Sequence, residues 1–591
     1  MKKLMLAAIA AMALAQPAAG AATSAASVKA LHALFDSEWE RGLRENPETA
    51  SFLGDTRFND RWADLSPEAI ERSHQGDLVA RRKLAAIWRQ GLPKDEQLNY
   101  DLFRKQLDFS IEGYRFRGFV MPVSPINWSG FGGASQLAQA IRFATAKDYE
   151  DWLKRLGAYG AYVDQHIALM KRGLKEGRVP PKVTMQRIPR QVDAQIVQNP
   201  EDSPLYAPFR NFPASMDAAQ QEALRTRGRE AIRTSVIPAW QHFKQFFEAE
   251  YLPGCRDAIS AETLPDGAAL YAFQVRLMTT TDLTPDQIHD IGLKEVERIR
   301  REMEKIKAKV GFAGPMQEFF TSLRSDPKFY YAKPDDLLNG YRVIAKRVDP
   351  ELARLFGRLP RTPYGVKAIP EDEAPNSTTA YYYPPAEDGS RPGWFYANTY
   401  KLETRPSWEM EALSLHESVP GHHLQIALAQ ELGELPKFRR NNGYTAFVEG
   451  WGLYSESLGE DLGMYQDPYS KFGQLTYEMW RAVRLVVDTG IHHKRWTREQ
   501  AIAFFKENAA KTENDIAVEV DRYISWPAQA LAYKIGQLKI RELRTRAEQK
   551  LADRFDVRAF HDVVLGSGAV PLDVLERNVD AWIAAVAAKK G

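Results

Sequence analysis

The chain is poor in cysteine, in net charge and in long hydrophobic runs, and each shortage excludes a class of protein. Its single cysteine, Cys255, cannot form an internal disulfide, so the hydrophobic core must stabilise the fold. No histidine lies near Cys255 in the sequence, which argues against a catalytic thiol. The formal net charge of +2 at pH 7 gives no general attraction to nucleic acid or to anionic membranes.

The N-terminal segment has the features of a secretory signal peptide. Lys2 and Lys3 precede the apolar run LMLAAIAAMALA, which is too short to span a membrane as a mature helix. The small residues Ala19-Gly20-Ala21 fit a cleavage site, so we predict that residues 1–21 are removed. No cysteine follows Ala21 directly, so no lipid anchor is expected. The prediction is a periplasmic or secreted protein that is not anchored in the membrane.

The rest of the sequence predicts a mainly α protein. Apolar residues recur at helical spacing from residue 28 to about 350, and capping pairs such as Ser66-Pro67 mark helix starts. We predict an N-terminal helical part, 22–360, that forms one wall of a central cleft, and a catalytic part, 361–591; together they make one continuous domain. The loop MPVSPINWSGFGG, with Asn127 and Trp128, either lies near that cleft or is a packed connector.

One short region has the pattern of β structure. Thr378 to Pro385 and Gly393 to Thr399 read as two strands joined by a turn at Glu387-Asp388-Gly389-Ser390. As an edge of the cleft, this hairpin would pair with an extended substrate, held by Asn398 and by the turn at Arg391. The alternative is an ordinary packed hairpin.

The segment LHESVPGHHLQ concentrates the chemistry of the chain. It holds His416, Glu417, His422 and His423, whereas the whole chain has 11 histidines. Zinc hydrolases bind their metal through imidazoles and use a neighbouring glutamate as general base. In a straight helix neither His422 nor His423 would align well with His416, but Pro420 favours a bend that brings one of them back. His422 is the preferred ligand, with His423 as the alternative.

A third ligand is expected on a following helix. Glu449, 27 residues after His422, lies in FVEGWGLYSE among small and aromatic residues that indicate burial. A buried carboxylate needs a cation. Glu456 shares a face with Glu449 but is the weaker candidate. The sequence therefore predicts a Zn²⁺ site made by His416, His422 and Glu449, with Glu417 as the base.

Three stretches resemble one bacterial family. HESVPGHHLQ, YYYPPAEDGSRPGWFYANT and FVEGWGLYSE are similar to the family called domain of unknown function 885, and the likeness runs over nearly the whole mature chain. The resemblance implies a helical zinc metallopeptidase-like fold, akin to angiotensin-converting enzyme and thimet oligopeptidase. It also implies a cleft that favours short peptides as substrates.

Several residues are candidates for stabilising the oxyanion or for binding substrate. The adjacent His492 and His493 end a helix, and one of them can supply an oxyanion donor unless both only stabilise the helix end. The segment from Arg522 resembles one in the angiotensin-converting-enzyme group, which implies that Tyr523, or else Tyr533, is the donor. Arg522 and Lys534 are the candidates for binding a substrate carboxylate.

The predicted function is a zinc-dependent peptidase of short peptides. Two alternatives remain open at this stage. A zinc amidase or esterase that acts on cell-wall or small-molecule amides would use an identical site. A non-catalytic periplasmic binding protein would instead hold a structural metal, closed by four protein ligands.

Overall fold

A computed structural model describes residues 2–126, 130–371, 374, 377–386, 389, 391–433, 435–441 and 443–588. About 71% of the chain is helical and 3% is strand, which confirms the mainly α prediction. Asn127, Trp128, Glu387, Asp388 and Ser390 lie outside the described residues. None of the described helices combines the length and hydrophobicity that a membrane crossing requires.

The first of two compact units comprises Met1–Ala258, Leu264–Asp266 and Pro436–Arg439. Aromatic residues such as Tyr149, Trp152 and Phe243 form its core. Residues 2–21 of the segment predicted as a signal peptide lie within the first helix. The helices of this unit are α1 (Lys2–Glu45), α2 (Pro47–Phe52), α3 (Pro67–Ala85), α4 (Lys94–Tyr114), α5 (Ala134–Ala140), α6 (Ala146–Gly157), α7 (Tyr159–Glu176), α8 (Lys182–Met185), α9 (Ile188–Asp193), α10 (Ala218–Ala231), α11 (Ile237–Phe246) and α12 (Leu252–Gly254).

The second unit comprises Ile259–Thr263, Gly267–Leu435 and Arg440–Gly591, so the predicted boundary between 22–360 and 361–591 falls inside it. The following helices belong to this unit, except that the part of α19 up to Arg439 belongs to the first unit. They are α13 (Gly267–Thr279), α14 (Pro285–Lys309), α15 (Met316–Ser325), α16 (Pro334–Val348), α17 (Met410–Glu417), α18 (His422–Gln430), α19 (Lys437–Arg440), α20 (Thr445–Ser457), α21 (Pro468–His492), α22 (Arg498–Asn508), α23 (Glu513–Ser525), α24 (Ala532–Leu551), α25 (Val557–Leu565) and α26 (Leu572–Ala588).

Helix α21 is the centre of the second unit. Nearly all of its residues are buried, including the charged Glu478, Arg481, Arg484 and Asp488. A helix that is buried all round lies in the core of a large domain. Its charged side chains therefore need partners inside the protein, and several of those partners belong to the candidate site.

The small predicted sheet is present, with three strands in the order β1-β3-β2. Strand β2 (Ala380–Tyr383) pairs antiparallel with β3 (Gly393–Ala397), as the hairpin prediction requires. Strand β1 (Tyr364–Ala368) pairs parallel with β3 and was not predicted. Because β1 and β3 are linked by a long connection, local sequence carries little signal for this pairing.

Candidate metal centre

The helix that carries His416 stops one residue later, and residues 418–421 separate α17 from α18. Gly421 lies at the tightest point of this break, since a Cβ there would be 1.9 Å from the carbonyl oxygen of His416. The Trp451 side chain anchors the break by donating from Nε1 to the carbonyl oxygen of Pro420 (2.8 Å). The bend predicted at Pro420 is thus a complete interruption of the helix. It places the His422 ring 4.7 Å from the His416 ring, centroid to centroid.

Glu449, on α20, meets both of these histidines. Its Oε2 atom lies 3.5 Å from Nε2 of His416 and 3.7 Å from Nε2 of His422. The three side chains can each offer one ligand atom, all within 4.8 Å of one another. The break after α17 and the neighbouring α20 therefore bring together the three residues that the sequence predicted as metal ligands.

The three side chains fit a divalent metal by geometry and by chemistry. In a tetrahedral zinc site with bonds of about 2.0–2.1 Å, ligand atoms lie roughly 3.4 Å apart. Two of the three spacings here, 3.5 and 3.7 Å, are close to that value. Oε2 of Glu449 is also buried without a hydrogen bond from any described residue, which is costly for a carboxylate. Two imidazoles and one carboxylate form the ligand set of many zinc peptidases.

A second glutamate sets the orientation of His416. Glu456 lies on the same face of α20 as Glu449 and is fully buried. Its Oε1 lies 2.8 Å from Nδ1 of His416. Because a carboxylate accepts, Nδ1 of His416 carries a proton, and Nε2 is the nitrogen that faces Glu449 and would bind a metal. Arg481 lies on the other side of Glu456, with Nη2 3.9 Å from the same oxygen. This carboxylate–imidazole contact is the arrangement that orients metal-binding histidines.

The electrostatics of the cluster favour a positive charge at its centre. Burial would lower the pKa of His416, but the carboxylates of Glu449 and Glu456 outweigh it and raise the pKa to about 9. Burial would raise the pKa of Glu449, but His416 and His422 lower it to about 2. The pKa of His422 falls to about 4, chiefly through burial, so this imidazole is neutral at pH 7. The carboxylates thus favour a proton on His416, and a metal cation could bind there in place of that proton.

Glu417, the predicted base, ends α17 directly after His416. It is partly buried, and burial raises the pKa of its carboxyl to about 7, with Glu449 and Glu456 adding to the rise and His416 and Arg481 opposing it. A general base works best when its pKa lies near the working pH. The raised pKa of Glu417 is thus compatible with the predicted role of general base.

His423 is held by other partners. Its Nε2 lies 3.1 Å from the carbonyl oxygen of Thr362 and must donate to it, so Nδ1 accepts from the Tyr382 hydroxyl at 2.8 Å. Both nitrogens are engaged, and burial lowers the pKa of this imidazole to about 4. Of the adjacent pair, His422 is the one that joins His416 and Glu449.

Two of the predicted oxyanion donors have other hydrogen bonds. The Tyr523 hydroxyl donates to Glu519 (2.7 Å) and accepts from Nε of Arg484 (3.0 Å). His492 accepts at Nδ1 from the backbone N–H of Ala261 (3.0 Å) and donates from Nε2 to the carbonyl oxygen of Tyr523 (2.9 Å). Neither side chain can donate to a substrate without breaking one of these bonds.

The other two candidates differ from each other. His493 contacts Glu262 through Nδ1 (2.7 Å) and Asp286 through Nε2 (3.2 Å), so both ring nitrogens are paired. Tyr533 is partly exposed, and the guanidinium of Arg484 lies 4.5 Å from its ring centroid. Among the described residues, none forms a hydrogen bond with the Tyr533 hydroxyl, which leaves it able to donate to a ligand.

The predicted carboxylate-binding residues are paired within the protein. Arg522 contacts Glu519 at 3.4 Å. Lys534 is completely buried and bridges Glu478 (2.8 Å) and Glu295 (2.9 Å). Buried charges of this kind need such partners to remain ionised. Lys534 therefore stabilises the packing of α14, α21 and α24. Its third N–H donates to Gln537 (2.7 Å), so all three of its donors are used within the protein.

The predicted peptide-holding residues of the hairpin organise their own loops. Asn398 is buried; its Nδ2 donates to backbone carbonyls in the stretch 374–378, and its Oδ1 accepts from the N–H of Tyr400. Arg391 donates to the carbonyl oxygen of Pro384 (2.7 Å) and lies over the Tyr383 ring. Asn398 thus has a structural role, while Arg391 fixes the start of β3.

Three residues of the site were not predicted from the sequence. From the sequence, Glu456 is only the weaker ligand candidate, and Arg481 and Gly452 have no predicted role. A Cβ at Gly452 would lie 2.9 Å from Nε2 of His416, so glycine leaves room for the imidazole. The spacing of Glu456 from Glu449 was the available signal, because residues seven apart on a helix lie on the same face.

A cavity of about 770 Å³ in the second unit contains none of the three candidate ligands. Its lining is mostly charged and includes Glu295, Arg298, Glu478 and Arg541. Arg298 and Glu295 are paired at 2.8 Å. This cavity is separate from the metal centre and is not needed for the chemistry considered below.

Comparison with known proteins gives a family and a fold. A family model described as "Bacterial protein of unknown function (DUF885)" matches residues 47–579. The crystal structure of a candidate lipoprotein from Colwellia psychrerythraea is 31% identical, with a TM-score of 0.88 over 95% of this chain and 99% of that one. A candidate lipoprotein of unknown function from Shewanella oneidensis is 18% identical, with a TM-score of 0.73 over 92% and 98% of the two chains, and shares the fold. No curated protein matches the chain.

Proposed function

The chain belongs to the DUF885 family of bacterial proteins of unknown function, and we propose that it is a zinc-dependent hydrolase that cleaves peptide bonds. The observation that carries the proposal is the meeting of His416, His422 and Glu449. Both imidazole Nε2 atoms lie within 3.7 Å of the same carboxylate oxygen, which has no hydrogen bond from the described residues.

The number of ligands supports a catalytic rather than a structural metal. Structural zinc sites are closed by four protein ligands, whereas catalytic sites use three and keep one position open. Among the described residues, the cluster comprises His416, His422 and Glu449. Glu456 is the nearest further carboxylate on α20, and its contact with Nδ1 of His416 makes it an orienting group instead of a fourth ligand.

In the proposed reaction, His416, His422 and Glu449 hold the metal, and Glu417 moves the proton. When bound, Zn²⁺ supplies Lewis acidity, which polarises the scissile carbonyl and makes water a better nucleophile. Glu417 accepts the proton from the attacking water and passes it to the nitrogen of the leaving amine. In the metal-free protein burial raises the pKa of Glu417 to about 7, which increases its affinity for that proton.

A hydrolase of this kind also needs a donor for the oxyanion that forms as water attacks. We assign that role to Tyr533 over Tyr523, because the Tyr523 hydroxyl is already bonded to Glu519 and Arg484. Removing one such donor typically costs about 10²–10³ in kcat. The Tyr533→Phe variant should therefore bind peptide normally and turn over slowly.

The proposed location is outside the cytoplasm. The Colwellia psychrerythraea relative is described as a candidate lipoprotein, which is consistent with the secretory features of residues 1–21 in this chain. A periplasmic or secreted enzyme would meet peptides from the medium or from protein turnover. Such peptides are the substrates that we propose.

The test is metal analysis joined to peptide profiling by mass spectrometry. The protein with its N-terminal segment removed should retain zinc and cleave members of a peptide library. Glu417→Gln should keep its zinc and lose cleavage by about 10²–10⁴-fold, the usual contribution of a general base. The matched control is Glu460→Gln, an exposed glutamate just after α20 that pairs with Lys471 and should behave as wild type.

Two results would contradict the proposal. One is a wild-type protein that binds no divalent metal after dialysis against zinc. The other is a Glu417→Gln variant that cleaves the library as fast as wild type. If the protein cleaves ester or non-peptide amide substrates but not the peptide library, the result would favour the amidase or esterase alternative with the same metal site.

A further inference from the structure

Three cations surround one indole ring in the second unit. The guanidinium carbons of Arg481 and Arg484 lie 5.1 and 5.0 Å from the ring centroid of Trp480, and Nζ of Lys511 lies 4.8 Å away. Cations are attracted to aromatic faces, but energetically significant pairs are sparse in most proteins. Three on one ring therefore concentrate positive charge at a single place.

The same cluster contains three hydrogen-bond donors that lack acceptors. Nε1 of Trp480, Nε of Arg481 and Nη1 of Arg484 are buried, and among the described residues none accepts from them. A buried unsatisfied donor costs about 1–3 kcal/mol, and more when the group is charged. All three unsatisfied atoms are donors on one stretch of α21, so the group they lack is an acceptor.

The nearby carboxylates do not meet this need. Glu519 pairs with Arg484 at 3.0 Å and also with Arg522, so one carboxylate serves two guanidinium groups. Glu456 is 3.9 Å from Arg481 and already accepts from His416. Lys511 is balanced by Glu409 at 3.0 Å. The unmet need of the cluster is therefore for hydrogen-bond acceptors at Trp480, Arg481 and Arg484, and a carboxylate can supply them.

The cluster lies next to the metal centre and reaches the surface. Arg481 contacts Glu456, whose carboxylate contacts the metal-site residue His416. Arg484 is one helical turn further along α21, an axial rise of about 4.5 Å. Trp480 and Tyr533 are both partly exposed, and the Tyr533 ring covers Arg484. A ligand that enters beside Trp480 and Tyr533 would meet the unsatisfied donors.

We propose that Trp480, Arg481 and Arg484 form a subsite for a carboxylate of the peptide substrate. The inference rests on the proposed peptidase function and adds the substrate chemistry to it. Two parts of a peptide carry that chemistry, its C-terminus and the side chain of an acidic residue. A planar carboxylate can accept several N–H bonds at once, which matches guanidinium donors better than a neutral amide does.

The experiment measures equilibrium binding by isothermal titration calorimetry, with Glu417→Gln as the background so that peptides are not cleaved. The probes are tetra-alanine as the free acid, tetra-alanine as the C-terminal amide, and an amidated peptide of the same length that contains one glutamate. At least one carboxylate-bearing probe should bind about 10-fold or more tightly than the amide without a carboxylate. Preference for the free acid identifies the C-terminus, and preference for the glutamate peptide identifies an acidic side chain.

Two variants test the assigned residues. Arg484→Lys keeps the charge but removes the planar donor, and Trp480→Phe keeps an aromatic face but removes the N–H. Each should reduce the carboxylate preference by several-fold or more. If Arg484→Lys does not fold, Trp480→Phe still carries the test. Arg541→Lys, which changes a cavity-lining arginine outside the cluster, is the matched control and should keep the wild-type preference.

The outcomes separate this inference from the proposed function. Equal binding of all three probes overturns the subsite, even if the wild-type protein cleaves peptides. A carboxylate preference that both variants retain overturns the assignment to these residues. A protein that prefers the carboxylate probes but never hydrolyses a peptide supports the subsite and overturns the peptidase proposal.

Discussion

Replacing Glu456 by glutamine should weaken metal binding without removing a ligand. The wild-type carboxylate is fully buried and lies 2.8 Å from Nδ1 of His416, where it fixes the tautomer and adds negative charge behind the imidazole. Glutamine keeps an acceptor atom at the same place and loses the charge. Changes to such outer partners typically cost 10–100-fold in metal affinity, or about 1.4–2.8 kcal/mol.

The assay for Glu456→Gln is competition for zinc with a chromophoric chelator at fixed pH. The wild-type protein and Glu460→Gln should give the same Kd, because Glu460 is exposed and pairs with Lys471. The melting temperature of the metal-free protein reports any general loss of packing that follows from leaving Arg481 less balanced. If Glu456→Gln folds and binds zinc as tightly as the control does, Glu456 does not orient His416 for the metal.

The remaining predictions concern packing, pH and the choice of histidine. Gly452→Ala should lower zinc affinity, because the new methyl would lie 2.8–2.9 Å from the His416 ring; unchanged affinity in the chelator assay would refute this. Burial raises the pKa of Asp488 to about 7, above its unfolded value near 3.8, so its contribution to stability is present below pH 4 and is lost as pH rises through 7. In urea unfolding, the free energy of unfolding of Asp488→Asn should therefore rise relative to that of wild type by up to about 4 kcal/mol between pH 4 and pH 7. A difference that stays constant over this range would contradict the raised pKa. His423→Gln should retain zinc by elemental analysis whereas His422→Gln loses it, and the reverse result would exchange their roles.

The candidate ligands were predictable because their signals are local. His416 and Glu417 stand together in one motif, and the small and aromatic neighbours of Glu449 indicate a buried carboxylate. The choice of His422 over His423 depends on the break after α17, whose exact course follows from contacts such as Trp451 with Pro420. Helical periodicity alone predicts a straight helix, in which neither histidine aligns well with His416.

The partners of the other predicted residues depend on contacts between distant segments. His492 is held by Ala261, more than 200 residues away in the chain, and Tyr523 is held by Arg484 on another helix. A local motif shows that a histidine or tyrosine is present, but not whether its donor is already used. Strand β1 could not be predicted for the same reason. Its pairing with β3 joins segments that are far apart in sequence.

The most direct measurement of the metal site is anomalous diffraction at the zinc edge from crystals grown with zinc. We expect a strong peak about 2.0–2.2 Å from Nε2 of His416, Nε2 of His422 and an oxygen of Glu449. Zinc-saturated crystals with no anomalous peak among these three side chains would contradict the central claim that they bind a catalytic metal.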